Sequence, residues 1–218
     1  FAKEKSNCID QYNQERKDLD KKTTVDAQDF INGDEHFENR NSIVVYNPEW
    51  SKGVIGIVAS RLSEQYYRPS VVLTLSNGFA TGSARSVSGF DIYKAIDSCR
   101  DLLENFGGHI YAAGLTMKEE NVSEFSRRFD EYVTSNMNED QKIPQIEVDS
   151  IVHFSEITPK FFSILQKFAP FGPENMKPVF VTENVKDYGT SRLVGRDLDH
   201  FKLDLTEDES PNVIMNGI

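Results

Sequence analysis

Apolar positions along the chain switch repeatedly between a period near four and a period of two, and each switch marks an element. Residues 42–46 form a short apolar strand. Over 53–66, Val54, Val58 and Leu62 fall at i, i+4 and i+8 with Ile55 and Ala59 beside them, which predicts a helix. Residues 70–75 (Ser-Val-Val-Leu-Thr-Leu) predict a central strand, being nearly all apolar. Asn77-Gly78 is a strong hairpin signal and leads to an antiparallel partner over 79–84. A helix is expected over 91–103, with Asp91 as N-cap and Ile92, Ala95, Ile96, Cys99, Leu102 and Leu103 on one face. A glycine-rich turn follows within 104–114, then a strand over 113–117. Asn121 to Glu124 has the form of a capping box opening a helix that ends near Ser135, with Val122, Phe125, Phe129, Tyr132 and Val133 inward. The order β-α-β-β-α-β-α predicts an α/β domain over 42–135, a small mixed sheet with flanking helices.

The flanking regions have a different texture. Residues 1–41 are polar, with Ile9, Tyr12, Leu19 and Ala27 as sparse apolar positions. They read as an exposed connector helix over 6–20, resuming at 25–31, and then a loop. Residues 136–177 read as a linker: a charged stretch, a strand over 145–154, and a helix opened by Thr158-Pro159 with Phe161, Phe162, Leu165 and Phe168 on its apolar face. Short runs at 179–184, 188–194, 200–206 and 213–216 then predict a mostly β, OB-like barrel over 178–218, expected to be incomplete. A chain starting at Phe1 rather than Met is expected to be part of a longer protein.

Composition changes this picture in three ways. The 218 residues carry a formal net charge of −11, which disfavours long-range attraction of nucleic acid. Screening within about 8–10 Å still allows a local positive cleft. No apolar run approaches the ~20 residues of a membrane span, and isolated Cys8 and Cys99 give neither a disulfide framework nor a zinc site. His36, His109, His153 and His200 show no metal-ligand spacing, and no phosphate loop or nucleophile motif occurs. Asp197, Asp199 and His200, the only local acid–histidine cluster, read as a hairpin turn.

Two segments carry candidate chemistry. Ser83, Arg85 and Ser86 lie at the end of a strand, and Gly107, Gly108 and His109 lie in the glycine-rich stretch. Brought together, they would offer a guanidinium fork, hydroxyls, amides and an imidazole to an oxyanion. Taken separately, Arg85 is a surface ion pair and His109 a solvated turn residue. Gly53 and Gly56 weaken the start of their helix by about 1 kcal/mol each relative to alanine. Either close packing or an anion at the helix N-terminus would explain them.

The segments Trp50-Ser-Lys-Gly-Val-Ile-Gly-Ile-Val-Ala-Ser-Arg-Leu62, Gly82-Ser-Ala-Arg-Ser86 and Gly107-Gly-His-Ile-Tyr-Ala-Ala-Gly114 resemble the DHH-associated domain of DHH phosphoesterases. Phe168-Ala-Pro-Phe-Gly-Pro-Glu-Asn175 and the short strands after it narrow the resemblance to the RecJ single-stranded-DNA exonucleases. The resemblance implies 5′-to-3′ degradation of single-stranded DNA in repair and recombination, in the cytoplasm. It implies Mn²⁺ or Mg²⁺ held by a preceding DHH domain, whose signature does not occur in this chain. It implies that His109 and Arg85 grip the substrate phosphate, with Ser83, Ser86, Gly107 and Gly108 in support. Lys186, Tyr188, Arg192, Arg196 and Lys202 are the expected DNA contacts of the OB-like part, although Asp204, Glu207, Asp208 and Glu209 make that region acidic. The expected state is a monomer without nuclease activity of its own. Two rival readings are a DHH-type oligonucleotide or nucleotide phosphatase, which would lack the appended barrel, and a non-catalytic nucleic-acid-binding scaffold.

Overall fold

A computed structural model describes residues 2–172, 174–196, 198–208 and 213–218. It divides into two compact units, Phe1–Pro144 and Gln145–Ile218.

The first unit opens with α1 (Ala2–Asn32). Its sheet holds β1 (Ile43–Tyr46), β2 (Ser70–Ser76), β3 (Phe79–Arg85), β4 (Leu103–His109) and β5 (Ala112–Met117), in the spatial order β1-β2-β3-β5-β4. β1 and β2 are parallel, because α2 (Ile55–Tyr66) carries the chain back between them. The other neighbours are antiparallel. Asn77 and Gly78 both have positive φ, 53° and 80°, as a tight two-residue hairpin requires.

Alternation along each strand sends side chains to two faces. On one face Leu73, Ala84, Leu115 and Met117 pack with Phe125, Phe129, Ile92 and Ile96 of α3 (Ile92–Asp97) and α4 (Val122–Asn136). On the other face Ile43 and Val72 pack with Val58 and Leu62 of α2 and with Ala27 and Ile31 of α1. This second helical layer sits on β1, β2 and β3. Further across the same face, Gly114, Gly107 and His109 are exposed.

Four expectations are corrected here. The connector is one continuous helix, because the polar residues at its midpoint are used: Asp20 is paired with Arg61 at 2.7 Å, and the Thr24 hydroxyl donates to the Asp20 carbonyl at 2.8 Å. The helix expected over 91–103 stops at Asp97, since Arg128 takes the Ser98 carbonyl and Asn121 the Leu102 carbonyl, at 2.9 and 2.8 Å. The Asn121 capping box is also absent: the Asn121 side chain is turned to Leu102, donating through Nδ2, and its Oδ1 makes no cap on α4. Finally, the glycine-rich segment is not a turn but strand β4, whose hairpin tip is only Ile110 and Tyr111. The order is therefore β-α-β-β-α-β-β-α.

The second unit is β-rich. β6 (Ser150–Ile151) and β7 (Phe180–Val181) pair in parallel. β8 (Val185–Asp187), β9 (Arg192–Val194) and β11 (Met215–Gly217) all pair with β10 (His200–Glu207). The segment expected as a linker divides, with residues 145–177 inside this unit. The long strand expected over 145–154 shrinks to β6. Thr158 caps α5 (Pro159–Leu165) by accepting from Phe161 N at 3.1 Å. Its predicted apolar face is only half covered: Phe161 meets Phe180 edge-on, but Phe162 and Phe168 are 60% and 59% exposed. In the segment after α5, the Asn175 amide donates to the Phe168 and Pro170 carbonyls, both at 2.9 Å, and this closes the turn. Asp197 and Glu209, from the acidic clusters, lie outside the described residues.

Candidate functional site

The two candidate segments converge. Arg85 is in register with Ala112 on β5, and Ala112 is in register with His109 on β4. Two residues along, Ser83 is in register with Gly114 and Gly114 with Gly107. Paired residues in neighbouring antiparallel strands project to the same face. Arg85, Ser83 and His109 therefore border one floor made of Ala112, Gly114 and Gly107, which have little or no side chain to fill it. A Cβ built on Gly107 meets nothing within 4 Å.

Arg85 is half-buried and has no carboxylate at ion-pair distance among the described residues. One guanidinium nitrogen, Nη1, donates to Ser83 Oγ and to the Ala84 carbonyl, both at 2.8 Å. Nη2 lies against α2: a Cβ on Gly56 would stand 3.3 Å from it and 3.3 Å from Ser83 Oγ. Of the two explanations for the glycines at the start of that helix, Gly56 shows close packing, against side chains of β3. Val54, the α2 N-cap, makes no side-chain cap, and the Ile57 amide is bound to the Val54 carbonyl at 2.9 Å, which leaves the Ile55 and Gly56 amides at the positive dipole end beside the guanidinium. An arginine with no acid partner among the described residues, beside a helix N-terminus, has the donor chemistry to hold an anion.

His109 sits at the exposed end of β4. The Tyr111 amide donates to its Nδ1 at 3.3 Å, which makes Nδ1 the acceptor and places the neutral ring's proton on Nε2. The exposed imidazole thereby has an N–H donor at Nε2. Gly108, next to it, has another task. A Cβ there would lie 2.5 Å from Ala113 Cα and would also strike the Ala112 carbonyl. Ser86, expected to support the phosphate, is held by structure: its hydroxyl donates to the Phe90 carbonyl at 2.6 Å and its amide to the Tyr111 carbonyl at 3.0 Å. That amide bond ties the Ser-Ala-Arg-Ser strand end to the tip of the Gly-Gly-His hairpin.

In the second unit Arg192 and Lys202 are in register, and His200 lies two residues along on the same face. Tyr188 and Arg196 are exposed. Lys186 is paired with Asp208 at 2.5 Å. The acidic residues nearby are largely structural. Glu207, buried, accepts from Phe154 N at 2.6 Å and faces His153 Nδ1 at 2.9 Å. Asp204, also buried, accepts from the Thr190 hydroxyl at 2.7 Å. Among the described residues no group of three or more His, Cys, Asp or Glu side chains is placed to hold a metal ion. None of the described helices is long and apolar enough to cross a membrane.

A mixed-sheet unit with Arg85, Ser83 and His109 around a glycine floor, followed by a small β-rich unit, defines the class: residues 39–135 match the DHHA1 domain, and residues 148–218 match the RecJ OB domain. The chain belongs to the RecJ family and corresponds to its C-terminal portion. It is 36% identical to the single-stranded-DNA-specific exonuclease RecJ of Bacillus subtilis (strain 168), over 96% of this chain and 26% of the relative. It is 29% identical to the enzyme of that name from Haemophilus influenzae, over 100% of this chain and 38% of the relative. The chain thus spans between about a quarter and two fifths of these curated relatives. Its fold is that of RecJ from Thermus thermophilus in complex with Mn²⁺, with a TM-score of 0.74 at 24% identity over 97% of this chain and 30% of that one. A structure of exonuclease RecJ bound to manganese also matches, with a TM-score of 0.51 at 27% identity over 63% of this chain and 34% of that one.

Proposed function

We propose that this chain is the substrate-gripping part of a 5′-to-3′ single-stranded-DNA exonuclease acting in cytoplasmic DNA repair and recombination. The observation that carries the reading is the shared floor of Arg85, Ser83 and His109 beside the open N-terminus of α2. A phosphodiester seated there would receive the free guanidinium N–H groups, the His109 Nε2–H and the helix amides. Charge-assisted bonds of this kind contribute about 1.5–3 kcal/mol each. Phosphoryl transfer depends mainly on positioning and on stabilising charge at the phosphoryl oxygens, which is what these donors supply.

The relatives' Mn²⁺ and Mg²⁺ complexes point to a divalent ion in the whole enzyme. The described residues of this chain do not form a site for it. We assign the ion, which would activate water, to ligands in a DHH domain outside this chain. Arg192, Lys202, Tyr188 and Arg196 would be the DNA contacts of the OB unit, in a monomer.

The test compares this chain with the whole protein on 5′-labelled single-stranded DNA in Mn²⁺. The chain alone is expected to bind DNA and leave it intact, while the whole protein degrades it. Metal-dependent cleavage by the chain alone overturns the division of labour. The appended OB unit favours this reading over a DHH-type phosphatase.

A further inference from the structure

The tip of the β4–β5 hairpin is built more firmly than an exposed turn needs to be. Both of its carbonyls are used: Ile92 N donates to that of Ile110 at 3.2 Å, and Ser86 N to that of Tyr111 at 3.0 Å. The Tyr111 amide is bound to His109 Nδ1. Yet the Tyr111 side chain is 57% exposed. Its ring centroid lies 6.1 Å from that of His109, with the planes at 74°. Near-perpendicular rings leave at least one face of the phenol free of the imidazole. The result is an aromatic plate on a pinned backbone, one residue's reach from a phosphate donor. Ordering a flexible side chain normally erodes binding, and pinning the backbone beforehand removes part of that cost.

We propose that Tyr111 forms a base-stacking subsite: the nucleobase of the nucleotide whose phosphate is held by Arg85 and His109 lies on the Tyr111 ring. This rests on the phosphate-gripping reading above and extends it from phosphate to nucleoside. An aromatic face accepts any base, because every base has a π-face, so the subsite selects an unstacked, single-stranded end without selecting sequence. A base still paired in a duplex is held in its own stack and is not free to turn onto the ring. The preference for single strands thereby acquires a local cause in this domain.

The test measures binding of short 5′-phosphorylated oligothymidylates by this chain, one carrying a normal terminal nucleotide and one an abasic terminal nucleotide. Tyr111→Ala is expected to weaken binding of the normal end about five- to hundredfold. Tyr111→Phe, which keeps the ring, should stay within about twofold of the parent. The parent should lose the same factor on the abasic end, and Tyr111→Ala should no longer distinguish the two ends. Equal binding of both ends by the parent, with Arg85→Ala weakening both, overturns the subsite and leaves the phosphate reading standing. If Arg85→Ala and His109→Ala also change nothing, the phosphate reading itself falls. Trp50 is buried, so a Tyr111→Trp variant adds a direct readout. Its indole emission should be quenched by the normal end and not by the abasic one, and no quenching by either end counts against the subsite.

Discussion

Arg85 and His109 face one another across a single residue, each paired in register with Ala112 from the strand on either side. Two strand spacings separate their backbones, about 9–10 Å. A phosphate group fills such a gap when donors reach in from both rims. Replacing Ala112 with a large side chain would close the gap without touching either donor.

The first prediction concerns the donors themselves. In the whole enzyme, Arg85→Ala and His109→Ala are each expected to lower the exonuclease rate by about 10²–10³, the scale for removing one oxyanion donor. Arg85→Lys should not restore it, since a point charge does not reproduce the planar fork that holds Ser83 Oγ and the Ala84 carbonyl through Nη1 and keeps Nη2 beside α2. Single-turnover rates on labelled DNA check this, and a loss under about threefold for either alanine variant removes that residue from the site.

Adjacent glycines separate packing from function. Gly108→Ala must push a methyl group into the backbone of Ala112 and Ala113, and is expected to destabilise the first unit by at least about 2–3 kcal/mol. Gly107→Ala meets open space, and its stability should change by under about 1 kcal/mol. It narrows the floor, so DNA binding should fall while the melting temperature holds. Urea titration followed by DNA binding distinguishes the two.

Little of this division is legible in the chain itself. Arg85, Ser83, Gly107 and His109 stand out as residue types, and the strand over 79–84 is clear from Asn77-Gly78 and the residues after it. The register is what stays hidden. Paired glycines look like a turn, because their usual use is positive φ. Gly108 does have positive φ, 156°, but inside strand β4, where a Cβ would strike the Ala112 carbonyl and Ala113 of β5, a long-range fact with no local signature. The end of the preceding helix is hidden for the same reason: Arg128 and Asn121, from further along the chain, take the carbonyls of Ser98 and Leu102. Tyr111 reads as filler between motif residues, and only its backbone bonds set it apart.

Gly56 gives a prediction in which stability and function part company. Alanine at a helix position is worth up to about 1 kcal/mol over glycine, so Gly56→Ala should raise or preserve the melting temperature. Its methyl group would press on Arg85 Nη2 and Ser83 Oγ at 3.3 Å, displacing the guanidinium from the floor. DNA affinity is expected to fall several-fold, by about 1 kcal/mol. A variant that gains stability and keeps full affinity would show that the α2 N-terminus takes no part in gripping the anion.

The cysteines report the packing of the first unit by chemistry. Cys99 is fully buried in the core between α3 and α4, and burial pushes its thiol above the ordinary value, against a smaller opposing effect of the Ser98 hydroxyl. Cys8 is exposed on α1. Thiolate is the reacting species, so native protein at neutral pH should consume one equivalent of a thiol reagent, at Cys8, and a second only on unfolding. The sign of the pH effect follows. Below the thiol's unfolded value both states hold the proton, and Cys99 adds no pH dependence. As pH rises past that value the unfolded thiol ionises first while the folded one stays protonated, so stability declines progressively through the folded value. Cys99→Ala should flatten that alkaline decline, at the expense of a small cavity at neutral pH. Urea midpoints of the parent and the variant, measured from neutral to alkaline pH, should converge as the pH rises; parallel curves would mean that the thiol ionises as readily in the folded core as outside it.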